Sequence, residues 1–107
     1  MYYELATMTL PFGTAGQAAT NVHAYATAPG ARGELLACWF TDIGALNQMI
    51  VLRGFADLAS LQAERDRTQK SADPFGCGAM FQSLEQHSYQ GFPWMKPVRP
   101  TAESGIA

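Results

Sequence analysis

The stretch that decides the fold is GELLACWFTDIGALNQMIVLRGF, residues 33–55. Two runs of strand-forming residues flank the sequence TDIG at residues 41–44, which is typical of a turn. We predict strands over residues 34–41 and 47–55, joined by a connection short enough for them to pair. Both runs are apolar on both faces, a pattern that favours central strands covered on both sides.

The flanking sequence supplies a strand and a helix before this stretch and a helix and a strand after it. The predicted ranges are a strand at 2–10, an alanine-rich helix at 14–28, a polar helix at 57–72 and a strand at 85–92. Thr14, with Gln17 in a capping box, and Asp57 are the predicted helix N-caps. Asp73 and Pro74 open a further helical segment, which its glycines make short or irregular.

This order is β-α-β-β-α-β, so we predict the α+β ferredoxin-like fold: a four-stranded antiparallel sheet with helices on one face. Helices on one side leave the other side of an apolar sheet uncovered. Two copies that stack sheet to sheet would cover it, and we therefore expect a homodimer through the open sheet face, a dimeric α/β barrel.

Composition narrows the function classes. Charged residues make up 15% of the chain, with a net charge of −2, so either a partner covers part of the surface or the chain is simply rich in alanine and glycine. No cluster of basic residues is present, so we predict no nucleic-acid partner. No apolar run is long enough for a membrane span. No leader pattern is recognisable, so we expect a cytoplasmic protein. Both cysteines, Cys38 and Cys77, are predicted to be buried thiols.

Three prolines, Pro93, Pro97 and Pro100, prevent the end of the chain from forming a strand. Trp94 and its neighbours are too apolar for a solvated tail. We therefore predict one domain over residues 1–98, its last part docked on this subunit or its partner, and a flexible tail over 99–107.

The run Trp39-Phe40-Thr41-Asp42-Ile43-Gly44-Ala45-Leu46-Asn47 resembles the signature of the NIPSNAP family. The opening Tyr2-Tyr3-Glu4-Leu5, the pair Arg65 and Arg67, Asp73-Pro74 and Met95-Lys96-Pro97 are similar to other positions of that family. The resemblance implies a dimeric ferredoxin-like fold without a settled biochemical activity, and the missing leader favours a bacterial member.

The chain departs from the family pattern at three places, so any pocket bounded by the helices is expected to differ in shape from that of the family. Its first helix is rich in alanine and glycine rather than bulky. Arg53 stands where Trp is common, and Phe75-Gly76-Cys77-Gly78 replaces an aromatic continuation.

Six residues are candidates for lining a pocket for a small apolar or anionic ligand; they are Tyr3, Trp39, Asn47, Arg53, Arg65 and His87. Each has a structural alternative. Trp39 and Asn47 are explained equally by core and turn, and His87 beside Glu85 by a surface position rather than acid–base chemistry. Arg53, in mid-strand, needs a buried partner, for which Glu4 is the candidate, or an anionic ligand.

No recognisable catalytic motif is present, so the primary hypothesis is a homodimeric small-molecule-binding or interaction module. The alternative is a small enzyme of the barrel-dimer type, such as a cofactor-independent oxygenase, acting on an apolar or aromatic molecule. Haem-degrading relatives of that type use His, Trp and Asn, but no spacing joins His23, Trp39 and Asn47 into such a set. No cofactor and no metal are predicted.

Overall fold

The computed structural model describes residues 1–41 and 47–98. The predicted TDIG turn lies mostly outside these residues, as does the predicted flexible tail at 99–107. The elements in chain order are β1 (Tyr2–Thr9), α1 (Ala15–Ala26), β2 (Glu34–Phe40), β3 (Gln48–Phe55), α2 (Leu58–Lys70), a 3-10 turn (Pro74–Gly76) and β4 (Ser83–Gln90). The predicted ferredoxin-like fold is confirmed. The last strand was predicted over residues 85–92 but spans Ser83–Gln90. It therefore starts and ends two residues earlier than predicted, and Gly91 and Phe92 lie beyond it.

The four strands form one antiparallel sheet in the order β2-β3-β1-β4. β1 and β3 are its centre. The prediction that β2 is central was wrong: β2 is an edge strand, and its residues from Cys38 to Phe40 are exposed. A strand that is apolar on both faces resembles a central strand in sequence wherever it lies, because the pattern does not report its neighbours.

A bulge in β2 changes which of its side chains share a face. Leu35 pairs with Arg53 but Ala37 pairs with Leu52, so Leu36 is an extra residue without a partner in β3. Simple alternation placed Leu35 on the same face as Ala37 and Trp39. The structure separates them, because the bulge shifts the alternation by one residue.

The two faces of the sheet have different surroundings. The closed face packs under the helices; its central residues are Glu4, Ala6, Met8, Met49, Val51, Arg53 and Phe55, all buried. The open face carries no helix; its residues include Tyr3, Leu5, Ala37, Trp39, Ile50, Leu52, His87 and Tyr89.

Helix α1 lies over the closed face through small side chains. Ala18 and Val22 are fully buried in the same core as Met8, Met49 and Val51. Thr14 is its N-cap residue, but no side-chain cap bond forms: the Thr14 hydroxyl donates to the carbonyl of Pro11, and Gln17 donates to Asn21 rather than closing a capping box.

Helix α2 begins as predicted, with the Asp57 carboxylate accepting from the Ser60 N–H at 2.7 Å. Its buried residues are Leu61, Glu64 and Thr68. The spacing of Leu58, Leu61, Arg65 and Thr68 predicts one inner face, but Leu58 and Arg65 are exposed. The i, i+3 spacing of Glu64 and Arg67 predicts a surface ion pair; the pair forms, but on the side of α2 that faces the sheet, where Glu64 is fully buried.

The segment after α2 is irregular, as its glycines predicted. Phe75 is fully buried although its φ is 57°, a left-handed conformation that is costly for a phenylalanine. The Asn21 amide donates to the carbonyl of Gly76 at 2.8 Å and ties this segment to α1. No helix in the described residues is long and apolar enough to cross a membrane.

Candidate functional site

Arg53 is the centre of a buried charge cluster on the closed face, which consists of Glu4, Arg53, Glu64 and Arg67. Arg53 lies directly opposite Glu4 across the β1–β3 pair and binds its carboxylate through Nη2, which confirms the predicted partner. Its Nη1 binds Glu64 Oε2 from α2 at 2.5 Å. Arg67 reaches the same carboxylate from the next turn, with Nη2 2.7 Å from Oε2 and Nε 2.9 Å from Oε1.

Aromatic rings enclose this cluster. The Arg53 guanidinium carbon lies 4.8 Å from the centre of the Phe75 ring and 5.8 Å from that of Phe55. The Arg67 guanidinium lies over Tyr25 at 3.9 Å. Such cation–π contacts are worth more where water is excluded, as it is around Arg53. Arg53 Nε is buried without a hydrogen-bond partner among the described residues.

The surroundings of Glu64 and Arg67 favour the charged form of both side chains. Burial opposes the charge on Glu64, but the hydrogen bonds from Arg67 and from the Arg32 N–H, together with the charge of Arg53, outweigh burial and lower the pKa of Glu64. The hydrogen bond to Glu64 likewise raises the pKa of Arg67. With two carboxylates and two guanidiniums, the cluster is neutral overall, so it joins α2 to the sheet rather than presenting a free charge.

The open face differs from the closed face in that two of its aromatic side chains are about half exposed to solvent. Trp39 is 53% exposed and Tyr89 is 52% exposed, although both project from the face of a sheet. Between them lie Leu5, Ile50 and Leu52, which are only partly buried. An exposed apolar surface of this kind on the face of a sheet is typical of an interaction site.

Residues 91–98, here called the C-terminal strap, cover one end of the open face. The Gly91 N–H donates to the Met1 carbonyl at 3.2 Å, and the Val98 N–H donates to the Tyr3 hydroxyl at 2.8 Å. Phe92 and Trp94 stack on each other with ring centres 5.9 Å apart. Two hydrogen bonds thus tie the strap to the start of the chain, whereas its apolar side chains Phe92, Trp94, Met95 and Val98 are exposed.

The six predicted pocket residues do not converge. Tyr3, Trp39 and His87 share the open face, whereas Arg53 is buried on the closed face. Arg65 is on the exposed side of α2, with its Nη1 3.5 Å from the Ser88 hydroxyl. Asn47 is exposed just before β3 and has a φ of 62°, a conformation that asparagine tolerates and that fits its predicted role in a turn.

Two further groups considered for chemistry are at the surface. His87 Nε2 lies 3.9 Å from Glu85 Oε2, with both side chains more than half exposed. His23 lines an open depression of about 500 Å³ between the end of α1 and the start of β2, whose other described lining includes Thr27, Gly33 and Leu35. None of the six predicted residues lines this depression.

The cysteines have unequal environments, so the prediction that both are buried holds for one only. Cys77 is buried, with its Sγ 3.6 Å from the Ala18 carbonyl, and burial, helped by Asp73, raises its pKa to about 11. Cys38 is exposed because its strand is at the edge of the sheet.

Sequence reasoning missed the burial of Glu64 and Phe75 and the contact that Gln86 makes with Glu4. Gln86 donates to the Glu4 carboxylate at 3.3 Å and so completes the lining of the charge cluster. One signal could have revealed the burial of Glu64. It lies three residues after Leu61 and four before Thr68, on the buried stripe of α2, and Arg53 in mid-strand needs a buried carboxylate as a partner.

The fold and the unequal faces define a ferredoxin-like α+β protein with one open sheet. The NIPSNAP family model matches residues 3–97, and the chain belongs to the NIPSNAP family. A comparison with curated proteins found no match.

Solved structures of similar proteins agree with this assignment. An uncharacterized NIPSNAP-like domain protein from Burkholderia xenovorans has 20% identity and a TM-score of 0.64, with 95% of this chain and 96% of that chain covered. A NIPSNAP family protein from Agrobacterium tumefaciens has 20% identity and a TM-score of 0.66, with 88% of each chain covered. A putative antibiotic biosynthesis monooxygenase from Deinococcus radiodurans has 11% identity and a TM-score of 0.62, with 91% of this chain and 98% of that chain covered. At these identities the likeness shows the fold alone.

Proposed function

We propose that this NIPSNAP-family chain acts as a homodimeric binding or interaction module in which two open faces stack on each other. One observation carries the proposal: the open face holds a half-exposed Trp39 and a half-exposed Tyr89 around partly buried aliphatic side chains. Aromatic residues at the centre of a surface patch are typical anchors of protein interfaces.

The size of the open face supports the same proposal. Four strands of seven or eight residues give an area of about 500 Å² per face from the ordinary strand spacings. Two stacked copies would thus bury about 1,000 Å², the lower bound for a stable interface. The exposed rings of Phe92 and Trp94, at the end of this face, would extend the contact.

Two neighbouring aromatic residues of β2 offer a matched test of this interface. Trp39 projects from the open face, opposite Ile50, whereas Phe40, which is 67% exposed, projects from the other side, opposite Met49. Trp39→Glu should weaken the dimer at least about thirtyfold, as the loss of an interface hot spot does. Phe40→Glu should leave it unchanged.

Sedimentation velocity on the two variants and the unchanged protein measures this difference. The proposal is contradicted if the unchanged protein sediments as a monomer of 11.6 kDa at all concentrations, or if both variants dimerise equally.

The enzyme alternative, a small cofactor-independent oxygenase or another barrel-dimer enzyme, has one point in its favour: the fold of the Deinococcus radiodurans monooxygenase-like protein is similar. In the described residues, however, no cleft brings Arg53, Asn47 and His87 together, and the space under α2 near Arg53 is filled by the charge cluster. We therefore rank the binding module first. A ligand role for Tyr3, Trp39 and His87 on the open face, the single domain over residues 1–98 and a cytoplasmic, bacterial setting are further parts of this proposal.

A further inference from the structure

A cavity of about 230 Å³ lies between the C-terminal strap and the open face. Its lining includes Tyr3, Gln90, Phe92, Met95, Lys96 and Pro97. At roughly 30 Å³ for each water-sized group, this volume suits a molecule of about eight non-hydrogen atoms. The cavity is thus smaller than a drug-sized pocket and fits a small metabolite.

The walls of the cavity are held in place by backbone contacts. The Met95 N–H donates to the Phe92 carbonyl at 3.0 Å, which closes a turn with Pro93 at the position that proline favours. The bonds from Gly91 to Met1 and from Val98 to Tyr3 fix the two ends of the strap. A strap that is ordered before binding costs little conformational entropy when a ligand enters.

The polar groups of the cavity select an anion. Lys96 is the only charged side chain in the described lining, and it forms no ion pair with another described residue. Tyr3 is more than nine-tenths buried, and its hydroxyl accepts a bond from Val98 but donates none within the described structure. Two donors, an ammonium and a phenol, are therefore available beside an apolar wall formed by Phe92, Met95 and Pro97.

We propose that this cavity binds a small organic acid, with its carboxylate held by Lys96 and Tyr3 and its apolar body against Phe92 and Met95. The proposal rests on the binding role proposed above but not on the homodimer, because one chain supplies the whole lining. It names a site and a ligand class that the six pocket candidates, scattered over both faces, do not define.

The test uses benzoate as the probe and the amide resonances of Gly91 and Val98 as the readout. Titration should shift both resonances with a dissociation constant on the order of 0.1–1 mM, as expected for a ligand of this size. Two control compounds should each bind at least about tenfold more weakly than benzoate. Benzamide has the same shape without the charge, and inorganic phosphate has charge without the apolar body.

Three variants assign the contacts. Lys96→Met keeps the aliphatic stem and removes the charge, and Tyr3→Phe removes the hydroxyl together with the bond it accepts from Val98; each should weaken benzoate binding about five- to tenfold. Lys70→Met, which changes the only other lysine of the chain at the end of α2, should bind benzoate normally. The proposal is overturned if benzoate at about 10 mM, well above the expected constant, shifts neither resonance. It is overturned as well if Lys96→Met binds as tightly as the unchanged protein, or if phosphate or benzamide binds as tightly as benzoate. None of these results would alter the outcome of the sedimentation experiment, so the two proposals fail separately.

Discussion

The two faces of the sheet are built from alternate residues of the same strands, yet they satisfy their side chains in different ways. On the closed face, even Arg53 is fully buried, because Glu4 beside it and Glu64 above it supply opposite charges within the chain. On the open face, Trp39 and Tyr89 remain half exposed, because no element of the described chain covers them.

This difference shows where the chain is complete and where it is not. A buried arginine is tolerated only when fixed partners satisfy its charge and hydrogen bonds. The closed face therefore requires one arrangement of Arg53, Glu4 and Glu64, and the chain itself supplies all three. The open face has apolar area but no second layer among the described residues, and we propose that a second copy of the chain supplies it. Substitutions on the closed face test whether its charge cluster holds the helix to the sheet, and the exposure of Trp39 tests whether the open face is covered by a second copy.

The largest effect should follow removal of the central charge. Arg53→Met leaves Glu4 and Glu64 buried without their shared cation, and the free energy of unfolding should fall by about 3–5 kcal/mol. Arg65→Met, on the exposed side of α2, should change it by less than about 0.5 kcal/mol. Urea denaturation of the two variants measures the difference, and equal stabilities would mean that the cluster does not hold α2 to the sheet.

The acid limb of stability should depend on Glu64. Its pKa is lowered in the folded state, so its stabilisation is complete above the unfolded-state pKa, about 4.3, and is lost as the pH falls through the lower folded-state value. Glu64→Gln should therefore cost about 1.5–3 kcal/mol at neutral pH, the contribution of hydrogen bonds to a charged group, and progressively less in acid.

Unfolding of both proteins between neutral pH and about pH 3, below the usual glutamate pKa, tests this dependence. A stability difference that stays constant over this range would contradict an ionised Glu64.

The start of the fold-deciding stretch should not accept a side chain. Gly33 has a φ of 81°, and a Cβ there would lie 2.5 Å from the Phe55 ring that flanks Arg53. Gly33→Ala should thus cost about 1–3 kcal/mol. Gly16→Ala is the control, because Gly16 is helical with open space around it, and alanine there should stabilise the protein by up to about 1 kcal/mol. A Gly33→Ala variant that melts like the unchanged protein would show that Phe55 can move away.

The smallest effect concerns the segment that carries Phe75. Asn21→Ala removes the hydrogen bond to the Gly76 carbonyl and should lower the free energy of unfolding by about 1 kcal/mol. Gln62→Ala, on the exposed side of α2, should alter it by less than about 0.5 kcal/mol. If the two variants are equally stable by thermal denaturation, the bond to Gly76 does not help to hold Phe75 over Arg53.

The sequence predicts more about the fold than about the site, for a physical reason. Periodicity and turn residues gave the order of elements, and an arginine in mid-strand demanded the carboxylate that Glu4 supplies. The edge position of β2 and the bulge at Leu36 depend on how strands pair, which side-chain alternation does not encode. Glu64 was missed because an acid in a polar helix looks solvated until the helix is placed on the sheet.

The candidate site was harder still to predict, because a site depends on which residues the register brings together. Tyr3 and Arg53 lie close together in the sheet yet point to opposite faces. The strap cavity joins Tyr3 to Lys96, far along the chain, through a segment with no periodic pattern.

The central claim is that the open face needs a second layer, and the solvent exposure of Trp39 measures it most directly. In a Trp94→Phe variant, Trp39 is the only tryptophan, so acrylamide quenching of fluorescence reports on it alone. At about 100 µM Trp39 should be protected, and dilution to about 0.1 µM should expose it as the mass falls from twice 11.6 kDa to 11.6 kDa. Strong quenching at every concentration, with the mass of one chain throughout, would contradict the account.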